Sequence, residues 1–409
     1  MNTNQNKLLS FVRRSATMVI VISFLLTGFA CAKTTENEEA AAYGSYGSDF
    51  AVEFARECPY RSPYSEMERS AALMIEQEFR DLGYSPEIQE FSAKDGGEYS
   101  GTSQNIIVTI PGNGFYLDED QSDGENLPED VVDVEVSPDS PAGSGVVVPV
   151  VKRQVIIGAH YDVSVAQDQS ESFPNHDGIS DNASGVAALL TLARAMKDQT
   201  FGYDVVLIAF GAGNDQFAGA YEYAGGMTAE DSGSTDAVYI IGPIYAGDKL
   251  YAHAGRNALK AEQKYEMRRK LYQATDVVFE HELSSKNGID LLLNEGIYEV
   301  EYPPDSGERH LYREFTLRDS DYLPFDQMNI PCVYIESGNY DFKQAEQVKD
   351  STHPALEEVE GNVSGTDYDA DEFLKQTLPW GTLQKRVNNT AYILLEAVRK
   401  GAHNLKPVE

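Results

Sequence analysis

The chain has 409 residues, 42% hydrophobic and 24% charged, enough apolar content for one large core or two modest ones. Its 66 Asp+Glu against 32 Lys+Arg give a formal net charge of -34. A field of that sign repels nucleic acid and anionic headgroups, so no nucleic-acid partner is expected, and neutral or cationic ligands are favoured.

Residues 1–30 read as an export signal. Lys7, Arg13 and Arg14 precede a mostly apolar run from Ala16 to Ala30. That run is shorter than the roughly 20 residues a spanning helix wants. Cys31 stands where a lipoprotein cysteine would, after Gly28-Phe29-Ala30, while Ala30-Cys31-Ala32 also fits the cleavage site of a plain secretory signal. The expectation is an exported cell-surface lipoprotein, lipidated at Cys31 and touching the membrane only through that anchor. Simple secretion is the alternative. Residues 31–48 are small and polar and read as a flexible tether, with the domain starting near Asp49. Of the other cysteines, Cys58 and Cys332, the second lies in an apolar run and reads as a buried thiol. Pairing of the two stays open.

Residues 65–83 carry Ala71, Leu73, Met74, Phe79 and Leu82 at near-helical spacing, with Gly83 as a stop. Asn105–Ile110 is a predicted strand. Residues 113–148 look like an acidic insertion, with Val131, Val132, Val134 and Val136 alternating as in a short hairpin. Asp118 to Gly124 fails the spacing of a calcium loop, because the glycine falls one place late. From 154 onward strands and helices alternate. Strands are predicted at 154–158, 205–210, 237–241 and 330–336, and helices at 182–197, 217–224, 258–283 and 383–399. This pattern predicts an α/β fold, a mostly parallel twisted sheet with helices on both faces in a single domain over 49–409. Sites in such folds lie at the carboxyl ends of strands.

Two motifs carry chemistry, Gly158-Ala159-His160-Tyr161-Asp162 and Ser180-Asp181-Asn182-Ala183-Ser184-Gly185. His160 and Asp181, on converging loops, are the first donors a zinc ion needs, and Asp162 can hold the other ring nitrogen of His160. At these residues the chain resembles the di-zinc aminopeptidase family, which includes bacterial leucyl aminopeptidases, glutaminyl cyclase and the non-catalytic transferrin receptor ectodomain. The likeness covers most of 50–400 and extends to Asn105–Pro111-Gly112 and Ser320-Asp321-Tyr322-Leu323-Pro324-Phe325. It implies a zinc exopeptidase-like fold, two zinc ions sharing Asp181, and a glutamate as general base.

Carried onto this chain, the resemblance puts Gly213 at the base, Asn214 at the next ligand, Gly242 at an aspartate ligand and Gly365 at the last histidine. A one-residue shift would offer Asp215 instead, and His353 competes with Gly365. A catalytic zinc wants three protein ligands and an open position, and loss of the base removes about 10²–10⁴-fold in rate. The expectation is therefore a metallopeptidase-like protein with lost or impaired catalysis, binding a peptide or an envelope protein, with zinc only if active. The alternative is an active metallo-aminopeptidase completed by Asp215, His353, His176 or Asp177. His281 reads as helix surface, and His253, His310 and His403 show no partner pattern.

Overall fold

The computed structural model describes residues 37–94, 96–116, 131–135, 147–259, 264–293, 295–301, 306–314, 318–340 and 348–408. The export signal, Cys31 and the acidic run 118–124 lie outside them. The main sheet contains β1 (Glu87–Ser92), β2 (Thr102–Ile110), β3 (Gln154–His160), β4 (Asp204–Phe210), β5 (Thr235–Ile241), β6 (Lys249–Ala254), β7 (Leu291–Leu293) and β8 (Cys332–Tyr340). They stand side by side as β1-β2-β4-β3-β5-β8-β6-β7, and Val348–Lys349 pairs with the end of β8. The central four, β4-β3-β5-β8, are parallel, while β1, β2 and β6 join antiparallel to the strands on their inner side.

The strands alternate in what they bury, as a period of two requires. Val155, Ile157 and Ala159 of β3 join Val205, Leu207, Ala237, Tyr239 and Ile241 on one face. That face is covered by α1 (Tyr46–Glu57), α2 (Glu66–Asp81), α3 (Ser184–Met196), α4 (Lys264–Glu280) and α5 (Thr382–Arg399). Ile156, Val206, Ile208, Phe210, Val238 and Ile240 face the other way, under the short helices Ala218–Gly226 and Leu323–Gln327. The expected α/β fold is present, with helices on both faces. Gly158 is required where it stands, because a Cβ there would lie 2.2 Å from the Phe210 ring.

Several boundaries differ from the sequence reading. Residues 37–48, expected as tether, are ordered by packing. Glu38–Ala41 is helical, Ala40 is buried, the Asn37 amide donates to Asn287 Oδ1 at 2.8 Å, and Tyr392 donates to Glu39 at 2.8 Å. Their small, polar composition hid contacts to residues 250 and more positions away. Helix α2 matches the predicted 65–83, capped by Ser65, which accepts the Glu68 amide at 3.0 Å, but Leu73 faces solvent. Val131, Val132 and Val134 do pair, in the strand Val131–Glu135 against Val147–Val151, in a small sheet with Phe115–Tyr116 and Lys406–Pro407, and Val136 lies outside the described residues. Strands β6 and β7, not predicted, extend the sheet beyond β8. Cys58 and Cys332 are both buried free thiols.

Candidate functional site

The cleft opens at the carboxyl ends of β3, β4 and β5, where α/β sheets place their ligands. It is about 300 Å³ in volume, and its lining includes His160, Asp181, Asn214, Arg318, Tyr334 and Ser364. His160, the last residue of β3, faces a carboxylate on each side of its ring. Nδ1 is 3.4 Å from Asp162 Oδ1 and Nε2 is 3.2 Å from Asp181 Oδ1. Burial pulls the imidazole pKa down, but bonding to Asp162 and Asp181 outweighs it and holds it well above the ordinary histidine value. Burial likewise raises Asp181, and the contacts with His160, Ser364 and Arg318 bring it below the ordinary carboxyl value.

The Asp181 loop is braced from two sides. Asp369 is buried and accepts the amides of Ser180 at 2.7 Å and Asp181 at 3.1 Å. Arg61, fully buried, donates to the carbonyls of Tyr161 (2.6 Å), Cys58 (3.0 Å), Asp177 (2.7 Å) and Gly178 (2.8 Å), so one guanidinium ties the strand end to the loop. Gly178 is positive in φ at +66°, and a Cβ there would meet Val163 at 2.3 Å. Asn182 donates to Ile241 O at 2.9 Å and accepts the Gly185 amide at 3.2 Å. That use of the Asn182 side chain delays helix α3 to Ser184, two residues after the predicted start.

The loop after β4 closes on Asp162. The amides of Gly213 and Asn214 donate to its two oxygens at 2.7 and 2.8 Å, and the Asn214 amide group adds a bond of 2.9 Å. The sequence reading placed a missing base at Gly213, and no room for a side chain exists there. A Cβ would stand 2.6 Å from His160 Cβ and 3.1 Å from Asp162 Oδ1. At Gly242 a Cβ would meet the Tyr334 hydroxyl at 2.6 Å. Gly365 has φ +71°, and a Cβ would meet Ser164 Oγ at 2.8 Å. Real Cβ contacts do not approach so closely, so a side chain at Gly213 or Gly242 would have to displace His160 or Tyr334, and one at Gly365 would have to turn the Ser164 hydroxyl aside and take a positive φ.

The proposed substitute donors are elsewhere. Asp215 accepts the Tyr64 hydroxyl at 2.8 Å. His353 caps the turn Pro354–Val359 and lines a different recess with Thr352 and Glu357. His176 bonds Thr366 O at 2.9 Å through Nδ1, and Asp177 accepts the amides of Ile179 and Asp371, both at 2.9 Å. These residues brace the loop and do not line the cleft. His281 contacts Tyr392 at 2.7 Å, and His253, which showed no partner pattern, is buried 2.9 Å from Glu336.

The sequence reading also missed several groups. Arg318 lines the cleft, 2.8 Å from Asp350 and 3.6 Å from Glu336, and Tyr334 donates to Glu336 at 3.1 Å. Asp350 lines the cleft as well. Glu68 is buried and accepts from Ser103 (2.8 Å), the Ala212 amide (2.7 Å) and the Tyr64 amide (2.5 Å). Asp321 is buried with neither oxygen hydrogen-bonded to a described residue, and burial, only partly offset by His160, raises its pKa to about 6. Only Asp321 had a signal, its place in the Ser320–Phe325 motif. Arg318 and Asp350 come from irregular stretches that meet only in space.

Zinc is the ion the resemblance implies, and the donor set does not fit a catalytic one. His160 and Asp181 are two donors where three are needed, and among the described residues no group of three His, Cys, Asp or Glu side chains is placed to hold a metal. What the cleft does offer is the carboxylate of Asp181, the imidazole of His160 and the guanidinium of Arg318 around a small hollow.

Comparisons with known proteins agree with this geometry at the level of fold and family. A family model described as Peptidase family M28 matches residues 146–393. A curated relative, the alkaline phosphatase isozyme conversion protein of Escherichia coli (strain K12), is 20% identical over 362 residues, 87% of this chain and 90% of that protein. Among solved structures, the glutaminyl cyclase of Fimbriiglobus ruber aligns with a TM-score of 0.53 at 14% identity, covering 88% of this chain and 95% of that one. The aminopeptidase from Aneurinibacillus sp. strain AM-1 aligns with a TM-score of 0.51 at 15% identity, covering 92% and 97%.

Proposed function

The chain belongs to peptidase family M28, and from that premise we propose that it is an exported, metallopeptidase-like protein whose cleft binds the free amino end of a peptide or envelope protein without hydrolysing it. One observation carries the reading. The resemblance puts the general base and two metal ligands at Gly213, Gly242 and Gly365, and side chains there would crowd His160, Tyr334 and Ser164. A catalytic zinc would polarise a carbonyl and acidify a water, and it needs a third protein ligand to do so. The competing reading, an active metallo-aminopeptidase, requires Asp215, His353, His176 or Asp177 at the ion, and the last two bond Thr366 O and the Asp371 amide. The first is committed to Tyr64 and the second lines another recess.

Binding needs less than catalysis. Asp181, kept ionised by His160, is an acceptor for an ammonium group. Ser364, Asn362 and Arg318 flank it and can donate to the first peptide carbonyl. The chain's negative field draws a cationic terminus towards it. Export rests on the charged and apolar pattern of residues 1–30.

The test uses purified mature protein, loaded with zinc and then desalted. Calorimetry is expected to show a short peptide with a free amino terminus binding, and its acetylated form failing to bind. Aminoacyl anilides are expected to give no chelator-sensitive hydrolysis. Stoichiometric zinc together with chelator-sensitive cleavage would overturn the proposal in favour of the enzyme.

A further inference from the structure

A second recess, about 480 Å³ in volume, lies between the segment from Gly288 to Leu292 and the start of α5, and it shares no lining residue with the His160 cleft. Its volume falls in the range of about 300–1,000 Å³ common to small-molecule sites. Trp380, the single tryptophan of the chain, stands on its wall and is 99% exposed. One exposed apolar side chain means little by itself. What gives this one meaning is its company, the three cations Lys249, Lys385 and Arg386. In a chain with 66 acidic and 32 basic residues, three cations on one recess run against the composition.

Counter-charge in the lining is limited to Asp248 and Asp290, two carboxylates against three cations. Arg386 gives its nitrogens to two carbonyls, Ile244 O at 3.0 Å and Asp248 O at 3.2 Å, and to no carboxylate of a described residue. Burial lowers its pKa to about 10, which Asp248 only partly offsets. The Asp248 carboxylate is already taken by Asn339, Ser351 and Thr352. Lys249 and Lys385 form no ion pair with a described residue. The Lys385 ammonium reaches across the recess, 3.3 Å from where a Cβ on Gly288 would stand.

We propose that this recess binds an acidic sugar. The apolar face of the ring would stack on Trp380, its carboxylate or phosphate would meet Lys249, Lys385 and Arg386, and its hydroxyls would reach Asp290 and Thr382. The lining sets the exposed face of Trp380 beside cations and the Thr382 hydroxyl, with Leu250, Ile289, Leu292 and Pro379 between them, a mixture that suits a sugar ring carrying an acid group. The chain's overall charge disfavours a polyanion such as nucleic acid.

The single tryptophan makes the test clean, because all indole emission reports this recess. The mature protein is titrated with a glucuronate-containing tetrasaccharide, glucose 6-phosphate, neutral chitotetraose and an acidic tetrapeptide. A saturable blue shift is expected with the first or the second, which tells carboxylate from phosphate. Binding should be at least about tenfold weaker for the neutral sugar and for a Lys249→Glu/Lys385→Glu variant of unchanged melting temperature. Calorimetry on Trp380→Ala should show the same sugar binding weakened. The proposal is overturned by no saturable shift with either acidic sugar, by an equal response to chitotetraose, by equal or tighter binding of the peptide, or by an unaffected lysine variant.

Discussion

The two halves of the His160 cleft are built to different standards. On one side His160, Asp162 and Asp181 are held by Arg61, Asp369 and the amides of Gly213 and Asn214, so the carboxylates of Asp162 and Asp369 also organise backbone. On the other side Gly213, Gly242 and Gly365 stand where the resemblance calls for a base and ligands, and Tyr334 and Ser164 occupy the room. Side chains that brace the fold are present. Of the donors the resemblance implies, His160 and Asp181 stand in the braced half, and glycines and Asn214 stand at the other positions it implies.

That contrast can be broken most directly at Arg61. Arg61→Ala leaves four carbonyls without their donor, and urea unfolding is expected to show a loss of about 3–5 kcal/mol. A loss below about 1 kcal/mol would mean that water replaces the guanidinium and that the braced half is not special.

Glu68, which holds the turn at Ala212, sharpens the comparison through pH. Burial, reinforced by the charge of Asp162, raises its pKa to about 8, above the ordinary 4.5. A carboxyl raised in the folded state contributes stability that is complete below the unfolded value and lost as pH rises through the folded one. Between pH 4.5 and about 8.5 the wild type should therefore lose up to a few kcal/mol relative to Glu68→Gln. Melting temperatures of both proteins across that window check it, and a constant difference would show that Glu68 is ionised throughout.

The vacated half is probed by putting donors back. Gly213→Glu and Gly242→Asp should each lose about 1–3 kcal/mol through overpacking, with no zinc binding by calorimetry. Pairing Gly242→Asp with Tyr334→Ala should recover part of the melting temperature. A single replacement that is fully stable and takes up zinc would show that the room was never closed. The smallest effect belongs to Asp369→Asn, which keeps one acceptor oxygen for the Ser180 and Asp181 amides. A loss of about 1 kcal/mol and faster hydrogen exchange at those amides are expected. Unchanged exchange would remove Asp369 from the brace.

The central sheet was legible because Val155–Ile157, Val205–Phe210 and Ala237–Ile241 are apolar runs that end in turn residues. Strand β6 was not, since Lys249–Ala254 interrupts its apolar residues with lysine and histidine and is held as a strand between β8 and β7. The same division runs through the cleft. His160, Asp162 and Asp181 sit in short motifs, and the glycines could be read by their register to them. Arg318, Asp350 and Arg61 have no local signal, because their meaning comes from carbonyls and carboxylates many residues distant. The packing of Asn37–Ala41 against Asn287 and Tyr392 escaped for the same reason.

The brace from Asp369 has a consequence for the chain during its synthesis. The Asp181 amide finds its acceptor 188 residues further along. At about 5–20 residues per second, a ribosome needs roughly 10–40 s to deliver it. Until then the segment around Asp181 hangs from a half-made polypeptide without its clasp. Nascent chains stalled before residue 369 should be nicked there by protease, and those stalled well beyond it should resist.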